Sequence, residues 1–168
     1  MISHIYPFYF GYMFIMVLFL SKYENKIDSK GRISVPASFR LELEKNNFSL
    51  FIFKSLMLPC LEGCGQNRIN QIVSAIDQMD SLSKETEILQ MILSSAQEMK
   101  IDSEGRINLS EEFITNAGIK DTALFAGIGQ SFRIWEPNNF YEREKDSLLY
   151  LKNNGIPKLK LGNLTDQK

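Results

Sequence analysis

The chain has 168 residues, 44% hydrophobic and 23% charged, a balance that argues against a disordered chain and suits one domain or two halves sharing a core. A net charge of −1 and a pI of about 5.9 deny the whole molecule the basic surplus of a nucleic-acid binder, so such a role must rest on a local patch. Two cysteines cannot build a disulfide framework, and a single histidine, His4, leaves little material for acid–base catalysis.

Residues 1–20 contain no Asp, Glu, Lys or Arg, a run long enough to span a bilayer with Ser21-Lys22 at its boundary. Pro7, Gly11 and His4 interrupt it, no basic residue precedes it as a signal peptide requires, and tyrosines and phenylalanines dominate over leucines. These features argue against an anchor. Residues 18–27 then read as a first strand, turned by Ser29-Lys30-Gly31 into a strand over 32–35. Pro36 opens a helix over 37–43, because its fixed φ suits a first helical turn, and Asn46-Asn47 ends it. The aromatic and β-branched run 48–53 predicts a buried strand with 57–61 as its partner, and Gly63 and Gly65 mark a loop. Ile69, Ile72, Val73, Ile76 and Met79 fall at helical spacing, and a second helix over 84–95, capped by Ser83, is expected to bury Ile88, Met91 and Ile92.

The second half repeats the scheme. Strands are expected over 96–101 and 106–109, and a helix over 111–117 between the cap Ser110 and the terminator Gly118. Strands over 122–126 and 132–135 pair across Gly127-Ile128-Gly129. A helix from Pro137 to about residue 152 follows, its stripe of Phe140, Leu148 and Leu151 interrupted by Glu144. Beyond it the tail 153–168 lacks a packing pattern and reads as disordered.

The repetition extends to the letters. Lys26-Ile27-Asp28-Ser29-Lys30-Gly31-Arg32-Ile33 returns 74 positions later as Lys100-Ile101-Asp102-Ser103-Glu104-Gly105-Arg106-Ile107, identical at seven of eight positions. The ungapped register keeps Phe39 with Phe113, Leu50-Phe51 with Leu124-Phe125, and Glu62 with Glu136. Each copy reads as a tight hairpin in which Gly31 or Gly105 takes a positive φ and Asp28 or Asp102 accepts hydrogen bonds from the turn. Repetition alone argues architecture, not activity.

Two Asp-x-x-Gly-Arg turns this far apart, the first running into Ile33-Ser34-Val35-Pro36-Ala37-Ser38-Phe39-Arg40, resemble the bacterial MraZ transcriptional regulators. The likeness covers roughly residues 16–151. It implies an α+β fold: a duplicated AbrB-like swapped-hairpin β-barrel with flanking helices and a pseudo-two-fold relation, with repeats over 17–82 and, including a linking helix, 83–152. It further implies a ring-shaped homo-oligomer on double-stranded DNA, bound to short guanine-containing direct repeats upstream of the cell-division and cell-wall gene cluster, and hence a cytoplasmic, nucleoid-associated protein. Family members begin just before a strand like Phe19-Leu20-Ser21, so residues 1–16 are expected to be a mis-assigned start upstream of Met13 or Met16; an extension packed on the barrel is the alternative.

Charge separates the two turns. Residues 22–40 hold five basic side chains (Lys22, Lys26, Lys30, Arg32, Arg40) against two acidic ones, whereas 96–114 hold Lys100 and Arg106 against five acidic ones. Arg32 is expected to present paired donors to guanine O6 and N7, with Lys30, Lys26 and Lys22 on phosphates and Arg40 in the same basic set. Asp28, Gly31, Asp102, Gly105 and Arg106 are read as residues that hold the turns. For Arg32 the competing reading is an ion pair with Asp28 that only braces the hairpin. Glu104 in place of Lys30, and Ser110 in place of Pro36, weaken any claim of two equivalent DNA faces. Apolar surface for an oligomer is sought around Phe48–Phe53, Phe132 and Trp135, which serve equally well as ordinary core.

An enzyme finds no support: there is no nucleophile–base pair, no Gly-x-Ser-x-Gly and no phosphate-cradling loop, so no catalytic residue, cofactor or small-molecule substrate is expected. Cys60 and Cys64 fall short of the four ligands of a tetrahedral metal site, and Cys60 reads as a small buried strand residue. Asp28 and Asp102, each beside an arginine, are not expected to hold a metal either. Outside this reading stand a membrane-tethered interaction protein anchored by residues 1–20 and an AbrB-like antitoxin, whose usual single short domain does not match the duplication.

Overall fold

The computed structural model describes residues 17–157, and within them the fold is α+β. The first half runs β1 (Lys22–Lys26), β2 (Arg32–Ser34), α1 (Ala37–Lys45), β3 (Leu50–Lys54), β4 (Cys60–Gly65) and α2 (Gln66–Asp77). After α3 (Lys84–Ser95) the second half repeats it as β5 (Gln97–Met99), β6 (Arg106–Asn108), α4 (Glu111–Ala117), β7 (Thr122–Gly127), β8 (Ser131–Trp135) and α5 (Pro137–Asn154). The expected caps are in place: Ser83 accepts from the Thr86 N–H, Ser110 from the Phe113 N–H, and Gly118 closes α4 with a φ of 66°. Helix α5 runs to Asn154, two residues into the stretch assigned to the tail. The expectations for residues 1–16 lie outside the described residues, and no helix among the described residues is long and apolar enough to cross a membrane.

All pairing is antiparallel. Six strands form one sheet in the order β1-β7-β8-β4-β3-β5, and β2 pairs with β6 apart from it. The first strand of each half therefore lies against the third strand of the other, and exchanging each strand for its counterpart reverses the order without changing it. The sheet is open: β1 and β5 are edges, so the described residues form no closed barrel. Strand β3 lies between β4 and β5, so it offers no edge for assembly, and Phe132 and Trp135 are buried at 0% and 3% exposure.

The main core fills the space between one face of the sheet and the layer made by α1, α4 and the β2–β6 pair. Phe39 of α1 sits at its centre with ring centroids 5.1 Å from Phe19, 5.6 Å from Tyr23 and 5.0 Å from Phe132. Each such pair adds about 0.5–1.5 kcal/mol to simple burial. The other sheet face carries two smaller clusters, one of Phe53 and Cys64 under Ile69 of α2, the other of Cys60, Leu124 and Trp135 under Phe140 of α5.

Three sequence expectations are corrected. The ungapped register fails past α1: Leu50 and Ile52 face the main core as Ala123 and Phe125 do, because Phe39 and Leu50 lie eleven positions apart but Phe113 and Ala123 only ten. Gly63 and Gly65 belong to β4, not to a loop; a Cβ at Gly63 would stand 2.2 Å from Phe132 Cζ, so glycine is there to admit a ring. On α3, Ile88 and Met91 are exposed. Buried Thr86, whose hydroxyl donates to the Asp80 carbonyl at 2.7 Å, sets the helix rotation and turns Leu89, Ile92 and Leu93 inward.

Candidate nucleic-acid interface

Each motif folds into the same turn, built on a carboxylate. The Asp28 carbonyl accepts from the Gly31 N–H at 3.0 Å, its Oδ1 from the Lys30 and Arg32 N–H groups at 2.9 and 3.0 Å, and its Oδ2 from Arg32 Nε at 2.7 Å. Asp102 repeats this with Gly105, Glu104 and Arg106, every contact at 2.9 Å. The turn requires a left-handed residue before the arginine, and Gly31 (φ 79°) and Gly105 (φ 76°) supply it. The Arg32 backbone N–H, then its guanidinium, hold the Asp28 carboxyl down at about 2, and Asp102 shifts the same way through Arg106.

The two turns share one surface. Strands β2 and β6 pair with Ile33 opposite Ile107, Arg32 opposite Asn108 and Ser34 opposite Arg106. Ile33 and Ile107 are sunk in the core at 0% and 1% exposure, so strand alternation puts Arg32, Ser34, Arg106 and Asn108 together on the outer face. Each strand is also sewn to the other's turn, Val35 N–H to the Gly105 carbonyl and Leu109 N–H to the Gly31 carbonyl, both at 2.9 Å. The result is a short two-stranded ribbon with an arginine near each end and a turn beyond each arginine. Ser34 and Asn108 escaped the sequence reading, although the alternation that buries Ile33 and Ile107 places them.

The ends differ in charge. Arg106 is held by two carboxylates, Asp102 and, at 2.6 Å from Nη1, Glu104, and these push its pKa up. Among the described residues Arg32 meets only the Asp28 carboxylate, through Nε and Nη2, because the residue matching Glu104 is Lys30; its side chain is 40% exposed against 26% for Arg106. Exposed Lys30 and Lys26 make no ion pair among the described residues.

Arg40 and Lys22 lie elsewhere. The Arg40 guanidinium covers Gly105, in the second turn, since β2–β6 pairing lays α1 beside that turn. Lys22 starts β1, about 14 Å along the strand from Lys26 at 3.4 Å per residue, and binds Glu144 of α5 at 2.8 Å between the rings of Phe140 and Tyr141. The structure thus places Lys30 and Arg32 at one ribbon end, with Lys26 two residues before that turn at the close of β1, and separates the other two basic residues from them. Cys60 and Cys64 sit in different apolar clusters, their thiols pushed up to about 12 by burial.

The family model described as MraZ protein matches residues 18–91 and 92–149, one match for each half. The chain belongs to the MraZ family. A relative from Pelagibacter ubique (strain HTCC1062) is 42% identical over 125 residues, covering 73% of this chain and 81% of that protein. One from Rickettsia akari (strain Hartford) is 37% identical over 134 residues, 79% of this chain and 90% of its own, and one from Rickettsia rickettsii (strain Sheila Smith) is 39% identical over 127 residues, 74% and 85%. Each is named transcriptional regulator MraZ, which places the chain in a family of transcriptional regulators and not of enzymes.

Proposed function

We propose that this MraZ-family chain regulates transcription by binding double-stranded DNA through the β2–β6 ribbon, led by the end that carries Lys30 and Arg32, with Lys26 beside it on β1. The supporting observation is the buried Ile33–Ile107 pair, which turns the arginines of both motifs onto one outward face. A two-stranded ribbon is a shape the major groove of B-DNA admits, at about 12 Å wide, and an arginine there reads guanine O6 and N7. Arg32 is the reader and Lys30 and Lys26 take phosphates; Asp28 stays beneath, aiming Arg32. Arg106, already held by two carboxylates, contributes less. Arg40 acts from the second turn and Lys22 from the α5 side, as flanking charges at most.

The pairing of each first strand with the other half supports a duplicated swapped-hairpin unit with a pseudo-two-fold relation, its repeats over 17–82 and 83–152. Few phosphate contacts per chain give a log–log salt slope of only about −3, so an isolated subunit binds weakly. A ring of subunits on successive direct repeats gains about 10²–10⁴ in avidity without a new contact. On this reading those repeats lie upstream of the cell-division and cell-wall gene cluster, and the protein works on the nucleoid in the cytoplasm.

Footprinting on DNA upstream of the chain's own gene, with operators of one, two and three repeats, tests this. Affinity is expected to climb with repeat number, and to collapse in the folded Lys30→Ala/Arg32→Ala variant. Equal affinity for all operators removes the ring, and unchanged retention of the double variant removes the ribbon.

A further inference from the structure

We infer that the second half of α5 is an arm by which one copy of this chain holds the next, seated on the hairpin of α2 and α3; the contact gives the proposed ring its interface and rests on that reading. Helix α5 is tied down near its start, where Phe140 covers Trp135 and where Lys22 and Glu24 of β1 bind Glu144 and Tyr141. Over residues 145–154 every side chain is exposed except half-buried Leu151. A stretch this short is marginal as a helix in water without a packed face. It carries such a face: Lys145, Leu148, Leu149 and Lys152 fall at i, i+3, i+4 and i+7, so two leucines, 61% and 57% exposed, share a stripe between two lysines.

The α2–α3 hairpin is its complement. Leu82 in the connection and Ile88 and Met91 on α3 are exposed apolar side chains. Ile88 lies one turn from Ile92, which with Ile72, Ile76, Met79 and Leu89 walls most of a cleft of about 330 Å³ between the two helices. Charge decides the occupant. Residues 77–91 hold Asp77, Asp80, Glu85 and Glu87 against Lys84 alone, whereas residues 145–168 hold five lysines against two aspartates. Lys84 is already bound to Glu87 at 2.6 Å, while Asp77, Glu85, Lys145 and Lys152 make no ion pair among the described residues. Apolar centres rimmed by opposite charges fit the two surfaces to each other and set each against pairing with itself. Both faces are exposed in the same chain, so neither covers the other, and the occupant is a second copy. Because the faces differ, the contact runs head to tail, the kind that closes into a ring when its rotation allows.

Sedimentation velocity of the full chain without DNA tests this contact. The parent is expected to assemble beyond a dimer. Lys145→Glu/Lys152→Glu and, separately, Asp77→Lys/Glu85→Lys should each raise the concentration needed for assembly by about tenfold or more, because like charges then meet. Carrying all four changes in one chain should restore assembly, a recovery that misfolding cannot produce; all four side chains are exposed, so the thermal melts should stay close to the parent's. Assembly of either double variant at the parent's concentration, or no recovery in the combined variant, overturns the contact and leaves the ring to another face. A parent that stays monomeric or stops at a dimer overturns the contact and the ring together. No DNA is present in any measurement, so every outcome leaves the ribbon reading untouched.

Discussion

Arg40 of the first half lies over Gly105 of the second, so close that a Cβ on that glycine would stand 2.0 Å from Arg40 Nη1. Its counterpart Ile114, 74 positions on, takes the same place over Gly31, with Cδ1 3.3 Å from a Cβ built there. Each turn is roofed by the helix of the other half. The exchange puts a guanidinium over the turn that holds Asp102 and Glu104 and a methyl over the turn that holds Lys30. The acidic turn is thereby partly neutralised from within, while the basic turn keeps its charge for an outside partner.

Replacing these glycines should separate two costs. At φ values of 79° and 76° an alanine at either position pays about 1–2 kcal/mol for the left-handed backbone. Gly105→Ala meets only the far end of a flexible arginine, which can swing away. Gly31→Ala drives its methyl to 2.5 Å from the Leu109 carbonyl oxygen, a backbone atom tied into the ribbon. Urea unfolding should show both variants destabilised, Gly31→Ala by roughly 1 kcal/mol more, within the range of overpacking costs. A larger loss in Gly105→Ala would contradict the stated roles of the two roofs.

On DNA the two ribbon ends should behave differently. Arg32→Ala is expected to cost about 1–3 kcal/mol and to relax the preference for guanine at one position. Lys30→Ala should weaken all sequences alike and reduce the salt slope by about 1. Arg106→Ala should cost less than Arg32→Ala, because its guanidinium is already committed to Asp102 and Glu104. Binding titrations at several salt concentrations, on guanine-substituted operators, decide each point.

Much of the site was legible because turns are local. Asp-x-x-Gly-Arg specifies its own hydrogen bonds within five residues, and both copies form them. The placement of Arg40 was not legible, since it depends on β2 meeting β6, a contact between halves that no local pattern encodes. Gly63 was misread for a related reason: its cause is the Phe132 ring on a strand 69 positions away. The stripe on α3 failed where a buried hydroxyl, Thr86, outweighed hydrophobic spacing in setting the helix rotation. Helix α5 buries no residue fully, so its apolar positions carried less information than their spacing promised.

The carboxylate turns predict an acid response. Asp28 in the fold titrates at about 2, below its ordinary 3.8, so the fold favours the charged form. Its stabilisation is complete above the ordinary value and is lost as pH falls from 3.8 through about 2; Asp102 moves in the same direction. Urea unfolding of the parent and of Asp28→Asn should therefore give curves that differ near pH 6 and converge towards pH 2. Parallel curves across that window would mean that Asp28 does not brace the turn as an anion.

Both thiols should be silent until the fold opens. With Cys60 and Cys64 raised to about 12, the thiolate fraction at pH 8 is on the order of 10⁻⁴, and both side chains are buried. A chromogenic disulfide reagent is expected to count no thiol in the native chain and two in urea. Reaction of either cysteine at native stability would place it outside the clusters that hold it.

The pairing of Gly63 with Phe132 is the sharpest packing test, because Gly63 needs no unusual backbone and only space is at stake. Gly63→Ala puts a methyl where the Phe132 ring lies, 2.2 Å from Cζ, at the centre of the sheet where β4 and β8 pair. Overpacking of this kind costs about 1–3 kcal/mol. Phe132→Leu alone also costs stability, since it removes a ring that touches Phe19, Phe39 and Phe125. In the double variant the leucine vacates the space the new methyl needs, so the combined loss should fall short of the two single losses by about 0.5–3 kcal/mol, the range for residues in direct contact. Additive losses in a denaturation cycle would show that the glycine is not there for the ring, and that β4 carries Gly63 for a reason other than the close approach of β8.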